Sequence, residues 1–234
     1  IGFTASGEIV AVTARGAAVF RAGRWVATNT SLPAKKPAEF LRDERGQRVF
    51  PSDGNKSWAP VQVHMAGNWF ASPQGIGAKT PTGWKLYGIE EGLPFDEFTG
   101  IAAARDGSVW LATTRGAIHF DGKTWEYRQG LRWLPADDVR AVAVDAENTA
   151  WFATSKGVGR IASRPITLAE KARHFEDEID RRHRRTAYEY VLEVSVGAPG
   201  DASNFTQRDS DNDGLWTSMY GAGECFAFAA TKDP

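Results

Sequence analysis

Asp106-Gly107-Ser108-Val109-Trp110-Leu111-Ala112-Thr113-Thr114-Arg115-Gly116 decides the reading of this chain, because its second half returns at a fixed distance. Trp110-Leu111-Ala112-Thr113-Thr114-Arg115-Gly116 is preceded by Trp69-Phe70-Ala71-Ser72-Pro73-Gln74-Gly75 and followed by Trp151-Phe152-Ala153-Thr154-Ser155-Lys156-Gly157, each step being 41 residues. The flanks keep the same register: Trp84 with Trp125, Leu93-Pro94 with Leu134-Pro135, Asp96 with Asp137, and Ala102 with Ala143. An earlier copy, Val10-Ala11-Val12-Thr13-Ala14-Arg15-Gly16 with Trp25 and Leu32-Pro33, stands 59 residues before the next, so that copy carries an insertion of 18 residues.

A period near 40 built of short β-rich runs separated by Gly and Asp turns is the requirement of one four-stranded propeller blade. In the copy around Trp110 the spacing predicts strands over Ile101 to Ala104, Ser108 to Thr113, Ala117 to Phe120 and Thr124 to Tyr127, with Asp106-Gly107, Arg115-Gly116 and Asp121-Gly122 at the turns. The expectation is a mainly β fold: about four visible four-stranded blades of an incomplete β-propeller over residues 1–163, with further blades before Ile1, then the first helices of an α-helical domain over 164–234. A Trp at one strand position of three copies fills the space between neighbouring sheets, which makes Trp69, Trp110 and Trp151 scaffold residues.

Composition narrows the function. A formal net charge of −1 over 234 residues argues against a bulk nucleic-acid partner. No apolar run approaches the roughly 20 residues of a membrane span. The single cysteine, Cys225, excludes an internal disulfide and reads as a small buried hydrophobe. His64, His119, His174 and His183 lack metal-ligand spacing, and no nucleophile elbow, phosphate loop or dinucleotide fingerprint is present.

Past Gly157 the repeat stops. Ser163-Arg164-Pro165-Ile166 forms a joint, and Thr167-Leu168-Ala169-Glu170 is a capping box opening a helix. Leu168, Ala172, Phe175 and Ile179 share one face of that helix. Its polar face offers Asp177 with Arg181, Glu178 with Arg182, and Asp180 with Arg184 as i,i+4 pairs, so Arg181 to Arg185 read as a solvated helix end. Tyr190 to Val196 alternate as a short extended segment, and Asp201 to Asp209 read as a polar loop. A final helix spans about Leu215 to Thr231, with Leu215, Met219, Ala222, Phe226 and Ala229 on a core face.

The other face of that helix carries Asp213, Trp216, Tyr220 and Glu224, preceded by Asp211 and Asn212. Two acids and two amphipathic aromatics on one face suit a cleft for a sugar ring. Asp213 or Glu224 is the candidate acid/base, Tyr220 a candidate for proton transfer, and Asp211, Asn212 and Trp216 candidate substrate contacts. The structural alternative makes Asp213 an N-cap, places Asp209 and Asp211 near the positive helix end, and packs Trp216 and Tyr220 under the sheets. A third alternative is calcium at Asp209, Asp211 and Asp213, the first half of an EF-hand-type loop. Its twelfth position is Tyr220 instead of Glu, so a complete site needs Glu224 or Asp201. No metal or cofactor is assigned.

Leu-Pro, an alternating strand, then Asp-Gly-Ser-Val-Trp-Leu-Ala-Thr-Thr-Arg-Gly, as at residues 106 to 116, resembles the two-component regulator propeller repeat. The similarity covers about two thirds of the chain. It implies a seven-bladed propeller in a periplasmic or extracellular protein that senses polysaccharide fragments, as in hybrid histidine kinases. The segment Asp211-Asn212-Asp213-Gly214-Leu215-Trp216-Thr217 looks like the opening of an (α/α) toroid, the fold of many glycoside hydrolases and polysaccharide lyases. The resulting expectation is an exported carbohydrate-recognising or carbohydrate-processing protein with a glycan or small-molecule ligand. The alternative is a non-catalytic ligand-sensing module of a two-component system. For that alternative Phe95, Asp96, Glu97, Arg132, Trp133, Asp137 and Asp138 form a contact rim. Trp133 stands out because Gly92-Leu93-Pro94 lacks the Arg-Trp seen in Gly130-Leu131-Arg132-Trp133-Leu134-Pro135.

Overall fold

Strands form where the repeat places β-branched and aromatic residues between Gly turns, and the computed structural model, which describes residues 1–32, 64–72 and 75–233, contains four successive antiparallel meanders. The first sheet holds β1 (Gly2–Phe3), β2 (Ile9–Thr13), β3 (Gly16–Arg21) and β4 (Arg24–Thr28). The second holds β5 (His64–Ala66), β6 (Trp69–Ser72), β7 (Gly75–Thr80) and β8 (Gly83–Tyr87). The third holds β9 (Phe98–Ala103), β10 (Val109–Thr113), β11 (Gly116–Phe120) and β12 (Trp125–Arg128). Each is hydrogen-bonded in sequence order, the strand order of a propeller blade. The insertion inferred for the first copy falls between β4 and β5, where residues 33–63 lie outside the described residues, as do Pro73 and Gln74.

The fourth sheet corrects the expectation of four strands per copy. It has three, β13 (Val139–Val144), β14 (Ala150–Thr154) and β15 (Gly157–Ile161), and the chain then leaves through Arg164-Pro165. Pro165 has no N–H to donate to a ladder, and Thr167 already starts a helix, so no sequence remains for a fourth strand.

The turn between the second and third strands repeats atom for atom. Thr13, Thr113 and Thr154 each donate from Oγ1 to the carbonyl of Gly16, Gly116 and Gly157, at 3.2, 2.8 and 2.8 Å. The same oxygens accept from the N–H of Arg15, Arg115 and Lys156 at 3.1, 3.2 and 3.2 Å. Gly116 has φ +125°, and a Cβ there would lie 2.6 Å from the Arg128 carbonyl oxygen, so the position admits only glycine. The repeat therefore fixes a cationic residue at one turn in three of the four sheets.

Period-2 alternation on β10 sends Val109 and Leu111 one way and Trp110 and Ala112 the other. The first pair packs with Trp69, Ile76, Leu93 and Ile101 in a core shared by the second and third sheets. The second pair packs with Leu134, Val139, Val142, Phe152 and Ile161 in a core shared by the third and fourth. Trp69 is buried, donates from Nε1 to the Gly107 carbonyl at 3.2 Å, and meets Phe120 edge-on at 5.8 Å between ring centroids. Trp110 stacks on His119 at 4.5 Å and meets Phe152 at 5.5 Å. Trp151 faces Phe20 of the first sheet at 5.5 Å. The spatial order is thus second, third, fourth, first.

Residues 164–233 belong to a second compact unit. The capping box is present: Thr167 Oγ1 accepts from Glu170 N at 3.1 Å, and Glu170 Oε2 accepts from Thr167 N at 2.7 Å. It opens α1 (Leu168–Glu178), which widens into a π-type turn over Ile179–His183. This unit is less helical than expected. A hairpin of β16 (Arg184–Arg185) with β17 (Tyr190–Val191) follows, then a second of β18 (Glu193–Val196) with β19 (Phe205–Arg208). The second hairpin takes its return strand from the stretch read as a polar loop. Gln207 Nε2 donates to the carbonyls of Arg182 and Arg184, both at 2.8 Å, and so holds β19 against the π turn.

α2 (Asp213–Thr231) begins two residues earlier than the sequence suggests. The core faces read onto both helices are not covered: Leu168 is 86 % and Phe226 78 % exposed, and Cys225 is exposed instead of buried. Amphipathic spacing marks which face could be buried, but neither short hairpin is broad enough to cover it. Two of the three expected i,i+4 pairs form, Glu178 with Arg182 and Asp180 with Arg184, whereas Arg181 turns to Glu178 at 3.3 Å instead of Asp177. Among the described residues no helix is long and apolar enough to cross a membrane.

Candidate functional site

α2 is positioned by Thr217, whose Oγ1 accepts from Val191 N at 3.0 Å and so ties the helix to β17. Between α2, β17, β18 and the π turn lies a cleft of about 590 Å³. Trp216, Met219 and Tyr220 line it from the helix, Val191, Leu192, Glu193 and Val194 from the strands, and Ile179 and His183 from the turn. Its walls are apolar with a few polar groups converging, and its size lies in the usual range for small-molecule sites.

His183 and Tyr220 are held by defined hydrogen bonds. A carbonyl can only accept, so the His183 Nδ1–H donates to the Leu192 carbonyl at 2.8 Å, which fixes the ring orientation and leaves Nε2 as its other polar atom. The Tyr220 hydroxyl donates to Glu176 and accepts from Arg184 Nη2 at 2.6 Å. Desolvation, with the Glu176 hydrogen bond second, pushes the phenol up to about 12 against the opposing pull of Arg184. Arg184 also pairs with Asp180, Glu176 and Glu189, the last two at 3.2 and 3.6 Å, and its Cζ lies 4.8 Å from the Tyr220 ring centroid. These bonds keep its guanidinium above its ordinary range, the Asp180 bond foremost. Tyr220 is thereby locked as a protonated wall.

The acids named from the sequence lie outside the lining of this cleft. Asp213 is the first helical residue, its Oδ2 accepting from Ser210 N at 3.3 Å, while its Oδ1 is buried without a hydrogen-bond partner. Asn212 holds the N-cap position, makes no side-chain cap, and donates its own N–H to Ser210 Oγ at 3.0 Å. Asp211 and Glu224 are exposed. Among the described residues no three His, Cys, Asp or Glu side chains converge as metal ligands. Sequence reading missed Glu176, His183, Arg184 and Glu193. His183 and Arg184 lay within a basic run, and Glu176 lies 44 residues from its partner Tyr220.

The contact rim read onto the blade copies lies on one face of the first unit, where the strand 2–3 turns and the inter-sheet connections meet. Thr114 Oγ1 donates to Glu97 at 2.6 Å, Gly130 N to Asp137 Oδ1 at 2.6 Å, and Asp138 pairs with Arg140 at 3.2 Å, so these acids tie loops together. Arg115 lies over Phe95 with Cζ 5.7 Å from the ring centroid. Trp133 is 37 % exposed and flanked by two guanidiniums, Arg128 at 4.6 Å and Arg132 at 5.6 Å from its ring. The apparent Arg-Trp insertion is a substitution: residues 88–97 and 129–138 are equally long, and Trp133 occupies the register of Gly92. A Cβ at Gly92 would lie 3.2 Å from Trp125 Cδ1. The fourth sheet has no fourth strand and hence no counterpart of Trp125, which frees the position for a large ring.

No known family profile matches the sequence, and no curated protein is detectably similar to it. Among solved structures the chain is similar to the extracellular domain of a hybrid two component system protein of B. thetaiotaomicron, at 15 % identity and a TM-score of 0.40. That match covers 88 % of this chain and 32 % of the other. A second such extracellular domain from B. thetaiotaomicron aligns at 12 % identity and TM-score 0.38, over 70 % of this chain and 21 % of that one. A streptogramin B lyase aligns at 16 % identity and TM-score 0.36, over 68 % and 62 % respectively. The chain thus spans less than two thirds of the length of each of these structures, and its successive sheets are consistent with propeller blades.

Proposed function

We propose that this chain is a ligand-recognition module of an exported sensing protein, in which the blade sheets are scaffold and the cleft beside α2 receives a small polyhydroxylated ring such as a sugar. The supporting observation is the division among the sequence-nominated residues. Trp216 and Tyr220 line one cleft with His183 and Glu193, whereas Asp213 and Glu224 stand outside its lining. An indole and a phenol ring bury the apolar C–H face of a sugar, and His183 and Glu193 offer hydrogen bonds to its hydroxyls. A general base must reach the proton it removes. Tyr220, held protonated between Glu176 and Arg184, is poorly suited to that task. The sensing role and a periplasmic or extracellular location follow the resemblance of the repeat to the two-component regulator propeller repeat.

One observation favours the processing alternative: Asp213 Oδ1 is buried without a partner, as a carboxylate awaiting substrate would be. Incubation of the intact chain and of Asp213→Asn with oligosaccharides, reading new reducing or unsaturated ends, separates the two. The recognition reading expects binding that Trp216→Ala weakens, with no new ends from either protein. New ends that vanish in Asp213→Asn would establish a lyase or hydrolase instead.

A further inference from the structure

We infer that Arg128, Trp133 and Arg132 form a second binding site, independent of the cleft beside α2, for a carboxylate carried on a ring. The site is built in advance. Gly130 takes φ +85° and its carbonyl accepts from the N–H of both Trp133 and Leu134, at 2.9 and 3.1 Å. Leu134 is buried in the core between the third and fourth sheets and anchors the loop. On this fixed loop an exposed indole lies against two guanidiniums that repel one another. Arg128 is partly neutralised by Glu126 at 2.8 Å. Arg132 is exposed and has no carboxylate within ion-pair distance among the described residues, so its planar donor fork is available.

Those features select a ligand class. A guanidinium recognises a carboxylate with two parallel hydrogen bonds, and an indole face buries a ring's apolar side. A guanidinium held against an aromatic ring loses less freedom on binding than a free one. Long polyanions are disfavoured, because Asp96, Glu97, Asp137 and Asp138 lie on the same face and would repel a chain of charges. A single ring with one carboxylate avoids them.

The test is an NMR titration of the intact chain, following the Trp133 indole N–H, assigned by its absence in Trp133→Phe. D-glucuronate and benzoate are the probes for a saccharide and an aromatic source, and D-glucose is the uncharged control. At least one carboxylate is expected to shift Trp133. Arg132→Gln is expected to weaken that binding by about tenfold or more, the loss of one charge-assisted bond. Added salt is expected to weaken it too, and Trp216→Ala to leave it unchanged. Arg132 is exposed, so its replacement leaves the fold intact. Glucose binding as well as glucuronate, carboxylate binding indifferent to Arg132→Gln, or no shift of Trp133 by either carboxylate would each overturn the proposal.

Discussion

Trp151 meets Phe20 at 5.5 Å between ring centroids, the contact that Trp69 makes with Phe120 at 5.8 Å. The two pairs are equivalent in the repeat: a second-strand Trp of one sheet touches a third-strand Phe of the next. The first sheet of the sequence therefore occupies the place that follows the fourth sheet, and the repeated Trp stands at each of the three junctions between neighbouring sheets.

Removing that Trp from a fully formed junction is expected to be costly. Trp69→Ala deletes a buried ring between the second and third sheets and is expected to destabilise the first unit by about 3–5 kcal/mol. Phe20 is only half-buried, so Phe20→Ala should cost clearly less. Urea midpoints of the two variants check the order, and equal losses would refute the graded packing.

Gly77 tests packing without backbone strain. Its conformation is ordinary, yet a Cβ there would strike the Phe70 ring, which is fully buried. Gly77→Ala is expected to lower stability by about 1–3 kcal/mol, the usual cost of overpacking. The double variant Gly77→Ala with Phe70→Leu should recover part of the loss in thermal melts.

Tyr220 sets an alkaline limit on the second unit. Its phenol is neutral in the folded state up to about 12, above the value of about 10 for an unfolded tyrosine. A raised value means that the stabilisation is fully present below about pH 10 and is lost as pH rises towards 12. The unfolding midpoint should fall across that window. In Tyr220→Phe this part of the pH dependence should be absent, and absorbance of tyrosinate should show one fewer late-titrating phenol.

The blades were legible because three signals recur in register: alternation on strands such as β10, a Trp at a fixed position in three of the four copies, and a Thr-x-Arg-Gly or Thr-x-Lys-Gly turn in three of the four. The missing fourth strand of the last sheet was foreshadowed only by Pro165. The spatial order of the sheets was not legible, since Trp151 carries no mark saying which sheet it will face. In the second unit Phe205–Arg208 has one apolar residue in four positions, too few to register as a strand. The cleft was half legible. Trp216 and Tyr220 share a helical face, but Glu176 stands on α1, His183 on the π turn and Glu193 on β18, and no periodicity announces that these elements meet α2.

The most direct test of the recognition reading is a titration of the intact chain with glucose, galactose, cellobiose and N-acetylglucosamine, following the Trp216 indole N–H by NMR. The account predicts that at least one of these sugars shifts Trp216 and that His183→Ala weakens the response by about tenfold, a hydrogen bond to a bound ligand. A spectrum in which Trp216 stays unmoved by every sugar at tens of millimolar would contradict it.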